Sequence, residues 1–509
     1  MAGRGYNTDI GNAAGVVRGG TVRHDASLAE AAPLLDRLPA PQRAVAARLA
    51  EVFAAHGQAL YLVGGVVRDL LLGRPVGELD CATSAPPAVT KALAQEAGAE
   101  AIYTVGEAYG TIGLVIDGVT VEITTFRAEV YPTPDRHPVV TFIDRLEADL
   151  ARRDFTINAM ALDPLTGALV DPFDGQADLA RRVIRAVGDP AARFDEDPLR
   201  MLRAVRLAAQ LGFAIEPQTL AAIQAMASEL GRVSVERIAA ELDRLLLAPR
   251  PSHGLQLLRE SGLLAVALPE LVPMAEDRGL GRHKDIWRHT LKVVDQTPPR
   301  LAVRWAALLH DAAKPMTRVI NEHGEVHFFG HDVVGAELAR RLLRRLRKDK
   351  ALTERVAQLV ALHLRPAAYD ETWTDSAVRR LMVETGDLLD DLLDLAAADV
   401  TSARPERRRQ AAQRLAQLRA HIARLREEAA LAEIKSPLDG HELMALFGLP
   451  PGRWIAGLKA YLRELVLDGT LAPGDKAGAQ AAAERWMAEH AAEYGITWPP
   501  AQHAADRNA

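Results

Sequence analysis

The residue pattern changes sharply at Asp171-Pro172. Upstream, short apolar runs at 59–63, 79–82, 110–115 and 120–126 read as strands, and Asp117-Gly118 between the last two is a hairpin-turn signal. An amphipathic helical pattern over 44–56 precedes them. Downstream, residues 196–260 and 285–490 read as helix after helix, dominated by Ala, Leu, Arg and Glu. The order of these patterns predicts an α+β protein: an N-terminal α/β head with a small sheet, then a mostly α-helical remainder. Clusters of proline at 249–251, 269–273 and 450–451 punctuate that remainder.

Composition excludes several classes. With 49% hydrophobic and 25% charged residues, the chain is neither disordered nor fibrous. The 61 basic and 67 acidic residues leave a formal charge of −6, so no global positive field advertises nucleic acid. Arginine nevertheless outnumbers lysine 52 to 9. Runs of it at 340–350 and 404–426 are candidates for following an RNA backbone, with solvated helix faces as the plainer reading. The single cysteine, Cys81, excludes an internal disulfide framework and a cysteine-cluster zinc site. No apolar run reaches the ~18 residues of a membrane span and none resembles a signal peptide, so a cytoplasmic protein without a membrane partner is expected.

The strongest local signal is LVGGVVRDLLLGRPVGELDCAT over 62–83. A strand runs into Gly64-Gly65, and a helix opens with Val66, Val67, Arg68 and Asp69. Glycines let backbone approach a ligand closely, and Arg68 adds a charged fork for a phosphate, although a Gly-Gly turn alone is also an ordinary structural turn. Glu78 and Asp80 then stand at the start of the next strand, where alternate residues share a face. Two adjacent carboxylates repel unless a divalent cation joins them, which points to metal, and Glu122 on a neighbouring strand is a candidate third oxygen ligand. A glycine grip beside a carboxylate cluster is the equipment of metal-assisted nucleotidyl transfer.

These residues, with RRDFTINAM at 152–160 and EDPLRMLRAVR at 196–206, resemble the signatures of the bacterial tRNA nucleotidyltransferase (CCA-adding) and poly(A) polymerase family. Three motifs in order cover about residues 45–260. Glu78 departs from the family pattern, which usually carries Asp there. The resemblance implies catalysis by Glu78, Asp80 and Glu122 with Mg²⁺ on Glu78 and Asp80. It implies a triphosphate held by Gly64, Gly65 and Arg68, and a sugar surrounded by Arg153, Asp154 and Asn158. Arg152 has a salt-bridged structural corner as its alternative reading. The motif at 196–206 implies nucleotide selection by Asp197, Arg200, Arg203 and Arg206. The long Pro-rich segment 127–149 reads as a loop; relatives that add only CC are shortened there, which favours a chain able to add the terminal A.

Asp197 and Arg200 also make chemical sense without the resemblance. Cytosine and adenine both present an amino donor beside an unprotonated ring nitrogen, so Asp accepts from the first and Arg donates to the second. Uracil and guanine reverse that pattern and leave both side chains unpaired, at ~1–3 kcal/mol each. Asp197 before Pro198 is equally a good helix N-cap, and the two readings are compatible. With Leu199, Leu202, Val205 and Leu211 as the buried stripe of the helix starting at Pro198, Arg200 and Arg203 are expected to point elsewhere.

A second constellation, His289, His310-Asp311 and Asp399, has the order of the HD phosphohydrolase superfamily, with His331 and His363 as further candidates and Lys314 nearby. Imidazoles and carboxylates collected from several helices can hold one or two divalent metals of unspecified identity and activate water. The expected division is a leader over 1–42, a catalytic head over 43–165, a helical neck over 166–262, an HD domain over 263–402, a helical tail over 403–490 and an extension over 491–509. The activity expected is template-independent addition of C, C and A, from CTP and ATP, to the 3′ end and acceptor arm of tRNA. The alternatives are poly(A) polymerase or A-only activity, and an HD phosphohydrolase whose N-terminal half only binds RNA.

Overall fold

A computed structural model describes residues 34–130, 139–277, 285–323, 325–401, 404–433, 436–467, 469–472 and 474–498. The expected leader and C-terminal extension lie mostly outside the described residues. The chain divides into two compact units, 1–200 with 213–226, and 201–212 with 227–509.

The first unit opens with α1 (Ala40–Ala55), β1 (Leu60–Val63), α2 (Gly65–Leu71), β2 (Leu79–Thr83), α3 (Pro87–Glu96), β3 (Ala101–Tyr103), β4 (Thr111–Ile116) and β5 (Val119–Thr125). Asp117 and Gly118 turn between β4 and β5 with φ of 49° and 72°, the left-handed pair that an Asp-Gly hairpin turn requires. Then come β6 (Arg127–Val130), β7 (Val139–Phe142), α4 (Leu146–Ala151), β8 (Ala161–Leu162), β9 (Leu169–Val170), α5 (Gly175–Arg181), β10 (Val183–Ile184) and α6 (Pro190–Glu196). The division between the units falls within α7 (Leu199–Leu211); β11 (Ala214–Ile215) and α8 (Pro217–Met226) return to the first unit.

Seven strands form one sheet in the order β3-β4-β5-β2-β1-β8-β9, with β2 and β5 parallel and every other neighbouring pair antiparallel. One face is apolar: Ile112, Leu114, Ile116, Val121 and Ile123 are buried, with α1 and α3 packed on that part of the sheet. The alternate residues Thr111, Gly113, Thr120, Glu122 and Thr124 remain partly or wholly exposed. The period of two thus separates a packed face from an open, polar one.

Three expectations are corrected. Residues 127–149 are not one long loop: β6 and β7 pair antiparallel from Arg127↔Phe142 to Val130↔Val139, and α4 follows; the connecting 131–138 lies outside the described residues. Charged and proline-rich composition hid a ladder between consecutive strands. Glu78 is not on β2 but just before it, and exposed. Beta structure also continues past Asp171-Pro172, as the two-stranded pairs β10-β11 and, in the second unit, β12 (Arg318–Ile320) with β13 (Val326–Phe328). Ladders of two or three residues are too short to alternate detectably.

The second unit is otherwise helical: α9 (Val235–Leu246), α10 (Pro251–Glu260), α11 (Leu263–Ala267), α12 (Val272–Glu276), α13 (Ile286–Gln296), α14 (Leu301–Leu309), α15 (His331–Arg345), α16 (Lys350–Leu362), α17 (Asp375–Thr385), α18 (Leu389–Ala398), α19 (Pro405–Glu433), α20 (Gly440–Phe447), α21 (Arg453–Leu467) and α22 (Lys476–His490). Two apolar clusters are separate: one joins α17, α18 and α19 through Val378, Leu389, Leu418 and Ile422, and the other joins α20–α22 through Phe447, Trp454, Leu458 and Trp486. The basic run at 340–350 is spent on ion pairs. Arg340 bonds Glu354 at 2.9 Å, Arg345 takes Glu270 with both arms at 2.6 and 2.8 Å, Arg347 meets Glu236 and Lys348 meets Asp243. Most of the run is thus engaged in tertiary ion pairs.

Candidate functional sites

The head site starts from β2. Leu79 and Cys81 face the core, so Asp80 between them faces the open side, where the parallel register sets it directly beside Glu122 of β5. Burial, Glu122 and Glu78 push the Asp80 carboxyl up to about 6, and the nearby Arg153 and Arg68 oppose that shift. Burial likewise pushes the neighbouring Cys81 thiol far up, which makes it inert. Two carboxylates held together at this cost fit a divalent cation. Among the described residues, however, the two His/Asp groups whose ligand atoms lie within 4.8 Å of one another are both in the second unit. Glu78, Asp80 and Glu122 do not form such a group by themselves, which suits Mg²⁺: it commonly takes one or two carboxylates and completes its shell with substrate phosphate and water.

Around this pair the two sequence motifs interlock. Gly64 has φ 68°, and a Cβ there would stand 3.1 Å from an Nη of Arg153, so glycine is needed both for the turn and for the arginine beside it. Arg68 is buried. It grips Asp69 through Nε and Nη2 at 3.0 and 2.8 Å and donates from Nη1 to Asn158 Oδ1 at 2.8 Å. Asn158 in turn donates to Asp154 at 3.1 Å. The 62–83 and 152–160 motifs therefore meet in one hydrogen-bonded chain, with Arg68 partly committed to the scaffold.

Asp149 of α4 is the residue that sequence reasoning missed. It is fully buried, accepts from Arg152 at 2.9 and 2.7 Å, from Arg153 at 3.2 Å and from the Arg127 backbone N–H at 3.3 Å. Its signal was a carboxylate three and four residues ahead of Arg152 and Arg153, one helical turn away. Arg152 is thus the salt-bridged corner. Arg153 keeps a buried Nε with no partner, next to the Asp80 carboxylate that it influences.

Asp197 Oδ1 accepts the Leu199 N–H at 3.2 Å, so it does cap α7, which begins at Leu199 and not at Pro198. Arg200 does not point away from the packed side. It is buried, bonded to Glu196 at 2.7 Å and to the carbonyls of Arg152 at 2.9 Å and Arg193 at 3.2 Å. Glu196, from the preceding helix, is a partner that spacing within α7 could not reveal. Arg203 and Arg206 belong to the second unit, where buried Glu241 holds the Arg206 Nε at 2.6 Å.

The second site collects helix ends: His289 on α13, His310-Asp311 after α14, His331 opening α15, His363 after α16 and Asp399 after α18. Every sequence candidate of this set converges. Asp311 Oδ2 lies 3.4 Å from His289 Nε2 and 3.3 Å from His310 Nε2, while its Oδ1 lies 3.6 Å from His331 Nε2 and 4.0 Å from His363 Nε2. Asp399 is 3.0 Å from His289. The outcome is two ligand groups, His289–His310–Asp399 and Asp311–His331–His363. Each imidazole is anchored through Nδ1: His310, His331 and His363 to the carbonyls of Ala307, Phe328 and Val360 at 2.8, 2.8 and 2.6 Å, and His289 to Thr401 Oγ1 at 2.7 Å. A carbonyl can only accept, so three rings carry their proton on Nδ1 and turn the lone pair of Nε2 inward. His331 Nε2 is buried without a hydrogen-bond partner, so its lone pair is available to a cation. Without metal, Asp311 and Asp399 raise His310 against its burial, His310 and His289 hold both carboxyls well down, and burial lowers His363. Lys314 closes on Asp311 at 2.7 Å.

Three family models match the chain: the poly A polymerase head domain over 60–185, a probable RNA- and SrmB-binding site of polymerase A over 212–274, and the HD domain over 284–404. The CCA-adding enzyme of Geobacillus sp. (strain WCH70) is 32% identical over 419 residues, 81% of this chain and 90% of its own. The A-adding tRNA nucleotidyltransferase of Deinococcus radiodurans is 36% identical over 447 residues, 84% of this chain and 95% of its own. Among solved structures, the Bacillus stearothermophilus CCA-adding enzyme in complex with CTP superposes with a TM-score of 0.59 at 30% identity, covering 90% of this chain and all of that one. No described helix is long and apolar enough to cross a membrane.

Proposed function

Because the chain belongs to the family of tRNA nucleotidyltransferases built on the poly(A) polymerase head, we propose that it adds C, C and A in turn, from CTP and ATP, to tRNA 3′ ends in the cytoplasm. The reading assigns 43–165 to the catalytic head, 166–262 to the neck, 263–402 to the HD domain and 403–490 to the tail. The observation that carries it is the Asp80–Glu122 cross-strand pair on the open face of the sheet, with Glu78 beside it. Asp80 and Glu122, with Glu78 beside them, would hold Mg²⁺, which would neutralise charge at the α-phosphate and make the acceptor hydroxyl more acidic. The terminal 3′-hydroxyl of the RNA gives up its proton to water as its oxygen bonds to the α-phosphorus, the bond from that phosphorus to the α,β-bridging oxygen breaks, and pyrophosphate leaves.

The chain's own groups bind and orient. Gly64 and Gly65 admit the triphosphate to the backbone, Arg68 offers cationic N–H groups beside it, and Arg153, Asp154 and Asn158 meet the sugar. Arg200 donates to the unprotonated ring nitrogen of cytosine or adenine while Asp197 accepts from the amino group. Glu196 and the Arg152 carbonyl hold the Arg200 guanidinium in place before a base arrives, so its ordering is not deferred to binding. Arg206, fastened by Glu241, supports the same helix, with Arg203 one turn away.

The assay uses tRNA ending before CC, tRNA ending in CC, and an unrelated RNA, each with CTP and ATP singly and together, followed by sequencing of the ends. Arrest after CCA is the expected result. Extension of the CC-ended tRNA alone identifies A-only addition, and long A tails on the unrelated RNA identify a poly(A) polymerase. Absence of any extension overturns nucleotidyl transfer.

A second reading stands beside the first because its ligand set is complete: the HD centre hydrolyses phosphoesters. Asp311 presents one oxygen to each pair of histidines, which suits two divalent ions sharing a carboxylate; bound there, they would supply a nucleophilic hydroxide.

A further inference from the structure

Register across the head sheet places four residues in one row. Tyr103 of β3 pairs with Gly113 of β4, Gly113 with Glu122 of β5, and Glu122 with Asp80 of β2. Directly paired residues share a face, so Tyr103 stands on the open face that carries the carboxylates. Two strand spacings, about 10 Å, separate its backbone from that of Glu122. Its side chain is used by nothing in the mechanism above, and the residue is 54% exposed, unusual for a large aromatic.

Gly113 is the second observation. It sits inside a strand, where glycine costs backbone entropy and packs nothing, and the pairing runs through it without a bulge, which leaves close approach of another group as a reason for it. A Cβ there would lie 3.6 Å from the Tyr103 Cβ and 3.7 Å from its ring Cδ2. A side chain there would therefore begin in contact with the ring. The rest of the local face is low and polar: Thr111 and Thr124 meet at 3.0 Å between hydroxyls.

Resting on the nucleotidyl-transfer reading, we propose that Tyr103 is the stacking platform for the 3′-terminal base of the acceptor RNA, and that Gly113 keeps the approach from that ring to the carboxylate pair open. The base of the incoming nucleotide already has Asp197 and Arg200. The acceptor's terminal hydroxyl must reach Asp80 and Glu122, and the row provides a path along the sheet for the nucleotide that bears it. The chemistry also fits. An enzyme that extends an end whose last base changes after each addition needs a grip blind to base identity, and every base has a π-face.

The test uses the full chain with Tyr103→Ala and Tyr103→Phe. One arm is steady-state addition to tRNA ending before CC. The other is binding, without nucleotides, of the same RNA carrying 2-aminopurine at its 3′ end, whose fluorescence is quenched by stacking. Tyr103→Ala is expected to raise the RNA KM about 10-fold. Its KM for CTP and ATP stays put, turnover recovers at saturating RNA, and quenching is lost. Tyr103→Phe is expected to restore both. An unchanged RNA KM with quenching intact in Tyr103→Ala overturns the platform, and so does a rise confined to the nucleotide KM. Asp80→Asn run alongside tests the underlying reading: retained addition overturns that reading, while the quenching arm, which needs no chemistry, still decides on Tyr103.

Discussion

Asp80→Asn is expected to slow nucleotide addition by about three orders of magnitude and, in the same preparation, to make the folded chain more stable at neutral pH. The two effects share one cause. Burial and the carboxylates of Glu122 and Glu78 push Asp80 up to about 6, so the folded chain binds that proton more tightly than the unfolded one does. The stability it brings is complete below the unfolded value near 3.8 and is lost as pH rises through about 6. Above that, the wild-type chain carries an ionised carboxylate among its like, and the amide does not. Allowing for partial solvent screening, the difference is about 2 kcal/mol. Calorimetry in EDTA should therefore show a higher Tm for Asp80→Asn at pH 8 and none of that gain at pH 4. Adding Mg²⁺ at pH 8 should raise the wild-type Tm and close the gap. Equal Tm values at pH 8 in EDTA would show that the carboxylates do not repel in the folded chain.

Asp311→Asn should have the opposite sign on stability and leave nucleotide addition alone. Its carboxylate touches the Nε2 side of four histidines and Lys314, and both of its oxygens are used. In the metal-free chain it compensates the buried charge of His310, and removing it strands that charge, at about 3–5 kcal/mol. Because His310 is raised by its carboxylate partners, this contribution is present below the ordinary histidine range and is lost as pH rises through the higher folded value. The destabilisation should thus be largest near pH 5–6 and shrink at high pH. With metal, the variant keeps an oxygen toward one pair of histidines and turns an amide N–H₂ toward the other, and titration calorimetry with Mn²⁺ or Ni²⁺ should show affinity reduced about 100-fold. Hydrolysis of a 2′,3′-cyclic nucleotide or a phosphomonoester should disappear. Unchanged metal affinity would leave the six-residue constellation a structural network.

The uneven legibility of this molecule follows from the range of its interactions. Local patterns and ordered motifs were readable: the strand into Gly64-Gly65, the Asp117-Gly118 turn, the amphipathic helices and the order of the HD residues. Glu122 was identified as a neighbour of Asp80, but only register shows the two directly opposed. Where a residue's meaning depends on its burial or on a partner in another element, pattern failed. Arg200 read as a free fork and is braced by Glu196 and two carbonyls. The basic run at 340–350 read as a solvated face or an RNA track, and its pairing with Glu236, Asp243, Glu270 and Glu354 was in neither reading. Asp149 drew no notice because one acid in a charged segment is unremarkable until it is buried under two arginines.

The sequence by itself determined the fold class and the kinds of chemistry present, because periodicity, glycine turns and ligand types are local properties of a chain. Only the tertiary structure decided which groups meet: that Asp80 shares a row with Glu122, Gly113 and an exposed Tyr103, and that Asp311 divides its two oxygens between two pairs of histidines. Strand register and the convergence of helix ends are set by the packing of the whole core, which no window of the sequence contains.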